Sequence, residues 1–174
     1  MRIEIDKLDE QGEAFAHTYT PEELTLDEEV RLAEAARVEG EARRKGNQVH
    51  LRARLAAKVE AFCDRCAQPV ALPFELEFED RLVPAEAELE TLEATELQPE
   101  DLALSVYEGD AVEVDDLVRE QILLAVPTRL LCREDCKGLC PDCGVDRNKE
   151  TCACEHKETD PRWAGLAALK DSES

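Results

Sequence analysis

The fold turns on one stretch, Val49-His50-Leu51-Arg52-Ala53-Arg54-Leu55-Ala56-Ala57-Lys58-Val59-Glu60-Ala61. Its odd positions are all apolar, and its even positions carry His50, Arg52, Arg54, Lys58 and Glu60. Side chains alternate between faces along a strand, so this period of two reads as a long, half-buried β-strand. Downstream, Val70, Leu72, Phe74, Leu76 and Phe78 alternate with Glu75, Glu77 and Glu79, which reads as a second strand returning antiparallel to the first. Cys63-Asp64-Arg65-Cys66 falls between the two and therefore sits at a hairpin tip. Upstream, the weaker alternation of Ala36, Val38, Gly40 and Ala42 gives a third strand, closed by the turn residues Lys45-Gly46-Asn47.

Working outward, residues 2–6 fit a short strand, and Leu102, Leu104 and Val106 alternate as another, ended by Glu108-Gly109-Asp110. Residues 85–101 hold seven acids and no base, which reads as a mobile acidic loop. Asp115 or Asp116 is placed to cap a helix over 117–125 whose inner face is Leu117, Val118, Ile122 and Ala125, with Pro127 ending it. Asp160-Pro161 opens a last helix with Trp163, Leu166, Ala167 and Lys170 at helical spacing. The expected class is α+β: an antiparallel β meander of hairpins with a few short helices and a C-terminal cysteine-rich zinc-binding module. Residues 1–128 form the β-rich domain, and 129–174 form the cysteine module and final helix, packed on it as one unit.

A chain of 174 residues is one domain, or one domain with a small appended module. Only 4% of the residues are aromatic, so the core must come from Leu, Val and Ala, with help expected from a bound metal. Forty-two acids against 21 bases leave a net charge of −21, which excludes a protein that grips polyanions over its whole surface. The first twenty residues carry acids throughout and no apolar run, so no secretory leader is read there, and no stretch is long enough to span a bilayer. The expectation is a soluble, cytoplasmic protein.

In that reducing compartment cysteines are more often metal ligands or redox centres than disulfides. Six of the eight fall within 23 residues: Cys132, Cys136, Cys140, Cys143, Cys152 and Cys154. Cys140-Pro-Asp-Cys143-Gly144 is a zinc-knuckle pattern, because glycine lets the backbone turn tightly and aim amides at the sulfurs. Cys152-Ala-Cys154 returns soon enough to complete a four-thiolate site. Cys63, Cys66, Cys132 and Cys136 then make a second site if the chain after Leu130 comes back to the hairpin tip. Four soft ligands with no open position point to structural Zn²⁺, two per chain, each worth on the order of 10–16 kcal/mol in small zinc-finger peptides. A [4Fe-4S] cluster also takes four cysteines and stays open. His156 beside the cluster is an alternative ligand, though a solvated histidine is the simpler reading. A thioredoxin-type redox pair would want a strand leading into a helix, whereas Cys63 and Cys66 join two strands.

The order Cys63-Asp-Arg-Cys66, then Val114-Asp-Asp-Leu-Val-Arg-Glu-Gln-Ile-Leu-Leu-Ala-Val-Pro127, then Cys132, Cys136-Lys-Gly-Leu-Cys140-Pro-Asp-Cys143-Gly144 with Asn148, and finally Asp160-Pro-Arg-Trp163 resembles the YceD family. The resemblance implies a role in accumulation of large-subunit (23S) ribosomal RNA, and hence in ribosome biogenesis. Asp146 stands where such sequences frequently carry Asn.

No catalytic constellation accompanies these motifs. There is no P-loop or GxGxxG, and none of His17, His50 and His156 has a serine or cysteine nucleophile in an interpretable motif, so an enzyme is not expected. Residues 31–65 hold nine bases against five acids, the one basic zone of the chain. Arg43, Arg44, Lys45, Arg52 and Arg54 near the Gly46 turn are candidate contacts to rRNA phosphates. The plainer reading is a solvated sheet face with cross-strand ion pairs to Glu39, Glu41 and the row 75–79. Two partners follow: large-subunit precursor rRNA met by the basic hairpin, or a basic ribosomal protein held by the acidic surface of a chaperone or adaptor.

Overall fold

The computed structural model describes residues 1–85 and 104–154. Among them are β1 (Arg2–Glu4), β2 (Glu13–Tyr19), β3 (Arg31–Leu32), β4 (Ala36–Lys45), β5 (Gln48–Phe62), β6 (Pro69–Pro84), β7 (Leu104–Tyr107) and β8 (Ala111–Glu113), with a 3-10 turn at Ile5–Lys7 and the α-helix α1 (Val114–Ala125). The deciding stretch is β5, and it pairs antiparallel with β6 from Val49↔Leu82 to Phe62↔Pro69. Strand β4 lies on its other side, joined through the Gly46-Asn47 turn. The main sheet runs β2-β4-β5-β6-β7, with β3 beside the far end of β5.

The sheet departs from a strict meander at its edge. Strand β7 joins β6 in parallel, from Arg81↔Leu104 to Pro84↔Tyr107. A parallel neighbour needs a crossover in place of a tight turn, and the alternation of Leu104 and Val106 carries no sign of direction. The N-terminal strand β1 pairs with β8 in a separate two-stranded ribbon. Strand β2 was not foreseen: of its residues only Tyr19 is buried. Gly40 stands opposite both Phe15 and Ala53, and a Cβ there would come 2.3 Å from the Arg52 carbonyl oxygen. Glycine is what lets these strands close up.

One face of the sheet is aliphatic. Val38, Val49, Leu51, Leu55 and Val59 join Tyr19, Leu24 and the helix residues Val114, Val118 and Ile122 in a single buried cluster. No cysteine belongs to this cluster. Cys63, Cys66 and Cys136 form a second, separate buried cluster with Val70 and Leu131.

The helix begins earlier than expected, and neither Asp115 nor Asp116 caps it; Glu113 holds the N-cap position without a side-chain bond. Asp115 sits in the first turn, where the positive end of the helix favours a carboxylate. There it accepts a hydrogen bond of 2.7 Å from the buried Tyr19 hydroxyl. Asp116 pairs with Arg119. Of the acidic segment 85–101 all but Ala85 lies outside the described residues, as do Leu102, His156 and the helix expected from Pro161 with Trp163.

Candidate metal centres

The eight thiols gather as two fours, Cys63/Cys66/Cys132/Cys136 and Cys140/Cys143/Cys152/Cys154, and within each four the ligand atoms lie within 4.8 Å of one another. In the first, Cys63 Sγ is 3.8 Å from Cys136 Sγ, and Cys66 Sγ is 3.6 Å from Cys132 Sγ. A tetrahedron with Zn–S bonds of about 2.3 Å has edges of about 3.8 Å. A disulfide needs about 2.05 Å, and all eight cysteines are free. A [4Fe-4S] cluster takes its thiolates on four separate irons and spreads the sulfurs outward, so mutual distances this short suit one ion per group. The donor set therefore fits a single tetrahedral, thiophilic cation in each.

Both CxxC turns have one architecture. The Cys63 amide donates to the Gln68 carbonyl at 2.9 Å and the Ala67 amide to the Cys63 carbonyl at 2.8 Å. Five and four residues on from Cys140, the same pair recurs: Cys140 to Val145 at 2.8 Å and Gly144 to Cys140 at 2.9 Å. Each turn closes on a residue with positive φ, Gly144 at 73° and Ala67 at 53°. The glycine marks the second turn in the sequence, whereas the alanine hides the first.

The residues inside the first CxxC bring the distant cysteines in. Asp64 clasps Leu130 from both sides: its amide donates to the Leu130 carbonyl at 2.9 Å, and its Oδ2 accepts from the Leu130 amide at 2.6 Å. Arg65 donates from Nη1 to the Cys136 carbonyl at 2.6 Å, and its own carbonyl accepts from the Leu139 amide at 2.9 Å. Between them Gly138, at φ 72°, passes so close that a Cβ would lie 2.9 Å from the Arg65 carbonyl oxygen. Neither Asp64 nor Arg65 was singled out from sequence; their placement within a CxxC at a hairpin tip was the available signal. The first group is largely buried apart from Cys132, while the second exposes Cys143 and half-exposes Cys152 and Cys154.

Backbone amides polarise each group. Burial works against the Cys63 thiolate, yet the amides of Cys132, Arg65 and Cys66 outweigh it and hold the thiol at about 6. The amides of Cys143 and Asp142 likewise lower Cys140 to about 6. Their partners move the other way: desolvation and the thiols of Cys136 and Cys66 push Cys132 up to about 12, and Cys143, desolvation and Cys140 push Cys154 to about 12. Cys63 and Cys136 in the first group and Cys140 in the second are held down while neighbouring thiols are pushed up, and a divalent cation would remove that conflict.

The basic candidates lie elsewhere, on β4 and β5: Arg43, Lys45, Arg52 and Arg54 on the outer face, and Arg44, opposite the buried Val49, at the end of the core face. Arg52 stands between Glu41 and Glu79, and Arg54 between Glu39 and Glu77. Arg52 Nε lies 3.1 Å from Glu79, Arg54 Nη2 2.6 Å from Glu77, and Arg43 grips Glu41 through two bonds of 2.9 and 2.8 Å. Arg44 donates to the Gly46 carbonyl at 3.0 Å and lies 3.8 Å from Asp6. Lys45 has no ion-pair partner among the described residues. A cleft of about 680 Å³ opens at this end, lined by Arg43, Arg44, Lys45, Arg52 and Arg81 against Glu10, Glu41, Glu79 and Asp80, together with His50. His50 Nε2 is buried there with no hydrogen-bond partner. No helix among the described residues is long and apolar enough to cross a membrane.

Comparison with known proteins places these features in a family. The chain is 29% identical to the uncharacterised protein YlbN of Bacillus subtilis over 175 residues, covering 98% of this chain and 96% of that one. It is 30% identical over 121 residues to the Mycobacterium tuberculosis protein Rv2926c, covering 69% of this chain and 55% of the relative. A shorter match, 28% over 60 residues, covers 34% of this chain and 19% of the chloroplastic large ribosomal RNA subunit accumulation protein YCED homolog 1 of Arabidopsis thaliana. No solved structure matches the chain. Residues 51–170, which take in β5, β6, α1 and both thiol groups, match the family described as "Large ribosomal RNA subunit accumulation protein YceD", and the chain belongs to that family.

Proposed function

We propose that this protein is a cytoplasmic factor of large ribosomal subunit biogenesis that supports accumulation of 23S rRNA and is held in shape at one end by two Zn²⁺ ions. The protein is not an enzyme: membership of its family goes with a non-catalytic accessory role. The observation that carries the zinc reading is the sulfur spacing, 3.8 and 3.6 Å along two edges of the first thiol group, against about 3.8 Å for tetrahedral Zn–S₄. Zn²⁺ would be held by Cys63, Cys66, Cys132 and Cys136, and by Cys140, Cys143, Cys152 and Cys154. A bound ion supplies cross-linking and charge neutralisation there. Asp64 and Arg65 dock the chain around Leu130 and Cys136 on the hairpin tip, so the ion locks a junction that side chains have already aligned. Elemental analysis and native mass before and after chelation test this: two zinc ions per chain are expected, and a metal-free native protein with eight free thiols overturns it.

RNA contact is assigned to the Gly46 end of the sheet. Lys45 has no ion-pair partner among the described residues and Arg44 is only loosely paired, so a phosphate entering the cleft meets donors there. Arg43, Arg52 and Arg54 contribute less, because each must first leave a glutamate. That pairing favours a second reading, in which a chain of net charge −21 holds a basic ribosomal protein by complementary charge. Charge reversal separates the two. Arg44→Glu with Lys45→Glu should abolish binding of large-subunit rRNA at low salt on the first reading, and leave capture of basic ribosomal proteins intact on the second.

A further inference from the structure

We propose that the two thiolate centres load cooperatively, with Asn148 as the positioning residue that couples them; the inference rests on the metal-binding reading above. Asn148 belongs to the second centre by chain position, since it lies in the excursion between Cys143 and Cys152 whose ends that ion would tie together. By contact it belongs to the first. Its Nδ2 donates to Cys136 Sγ at 3.4 Å, and its Oδ1 accepts from the Lys137 amide and from Arg133 Nη2, both at 2.8 Å. Every polar atom of this side chain thus serves the segment that carries Cys132 and Cys136.

Asp146 fixes the orientation of the amide. Its Oδ1 accepts from the Asn148 backbone at 3.0 Å and from Asn148 Nδ2 at 2.8 Å. The excursion is stitched to the same segment by the Leu139↔Asp146 bridge and by the Arg147 amide, which donates to the Gly138 carbonyl at 3.0 Å. Lys149 Nζ reaches Gln68 Oε1, beside the first CxxC, at 3.2 Å. An excursion left untied by the absence of the second ion would hold Asn148 at Cys136 for only part of the time, and the first centre would lose an N–H donor to one of its thiolates. Donors to ligand atoms typically change metal affinity 10–100-fold. Linkage makes the effect mutual: filling either centre tightens the other by the same factor.

The test is a metal-affinity cycle on the full chain, using Zn²⁺ in competition with a chromogenic chelator and Co²⁺ for its thiolate charge-transfer bands. The proteins are wild type, N148A, C143S/C154S, and the combination of all three substitutions. First-centre affinity should fall about 10–100-fold in N148A and by a similar factor in C143S/C154S. Adding N148A to C143S/C154S should cost little more, the non-additivity of residues acting through one contact. N148D keeps the acceptor for Lys137 and Arg133 but loses the donor to Cys136. It should weaken Co²⁺ binding at least as much as N148A and shift the first-centre bands, whereas a merely structural Asn148 would be rescued by it. Second-centre affinity in C63S/C66S should drop by the same factor. Unchanged first-centre affinity in C143S/C154S, or full additivity in the cycle, overturns the coupling while leaving two independent zinc sites in place. A wild-type chain that takes up no ion overturns both.

Discussion

Asp64→Ala is the sharpest probe of how the hairpin tip recruits its distant ligands. The substitution removes the carboxylate that accepts from the Leu130 amide at 2.6 Å and keeps the backbone bond in the other direction. Leu130 is buried at 7% exposure, so its amide is left without an acceptor in a place water reaches poorly. A hydrogen bond to a charged group contributes about 1.5–3 kcal/mol. Taking about 2 kcal/mol, and about 1.4 kcal/mol per tenfold, the first centre should bind Zn²⁺ about 30-fold more weakly. The second centre closes within a span of fifteen residues, Cys140 to Cys154, and contains no group that Asp64 touches, so its direct loss should be confined to what coupling transmits. Asp64→Asn keeps an acceptor and should lose fivefold or less, about 1 kcal/mol. Chelator competition on the full chain reads both constants. An absence of weakening at the first centre in Asp64→Ala would refute the docking argument.

Gly138→Ala places a Cβ 2.9 Å from the Arg65 carbonyl oxygen at a φ of 72°, a strain of about 1–3 kcal/mol that should appear as about tenfold or greater loss of first-centre affinity; unaltered affinity would mean the close approach is not needed. Tyr19→Phe deletes the hydroxyl bonded to Asp115 and should lower unfolding free energy by about 1–2 kcal/mol in denaturant titration, with a null result showing that the bond between β2 and α1 is idle. Burial, and then the Glu120 charge, raise the Asp80 carboxyl above its usual range, and its Oδ2 has no partner. An acid whose folded pKa is raised costs stability while ionised and recovers it as pH falls through that raised value towards the unfolded one. Asp80→Asn should therefore stabilise the protein at pH 7, with the advantage over wild type shrinking on acidification; an advantage independent of pH would remove the carboxylate as its cause.

What the sequence disclosed follows from which physical signal was periodic. The β5–β6 hairpin was legible because Val49, Leu51, Leu55 and Val59 are buried at strict intervals of two. The lower edge of legibility is β2, where Ala14 and Ala16 alternate with Phe15 and His17 and only the last residue, Tyr19, is buried. Direction was illegible at β7, because a parallel and an antiparallel neighbour bury the same alternate residues. Capping at α1 misled for a local reason: Asp115 had a better partner in the Tyr19 hydroxyl, a contact across 96 residues that no window of sequence reveals. The two thiol fours have the composition that pairing CxxC with CxC, and CxxC with Cys132 and Cys136, pointed to. Asp64, Arg65 and Asn148 stand within the quoted motifs, but their roles were not legible because their work is done on backbone groups and on one sulfur, and such partners leave no pattern of residue types.

The division between the two buried clusters sets what a metal ion does in this protein. The aliphatic core runs from the sheet to α1 and includes no cysteine, while Cys63, Cys66 and Cys136 pack with Leu131 and with Val70, which also touches the aliphatic core. An ion at the hairpin tip would therefore act beside the aliphatic core. It would stabilise the junction, where Cys136 and Leu139 are held on the CxxC turn by hydrogen bonds and Leu130 is both bonded to Asp64 and packed in that core. A junction of that kind is marginal on hydrogen bonds alone, each contributing about 0.5–1.5 kcal/mol net. Closing it through four thiolates whose charges otherwise oppose one another would give it a stability that depends on the metal, at the opposite end of β5 from the cleft lined by Arg43, Lys45 and Arg52.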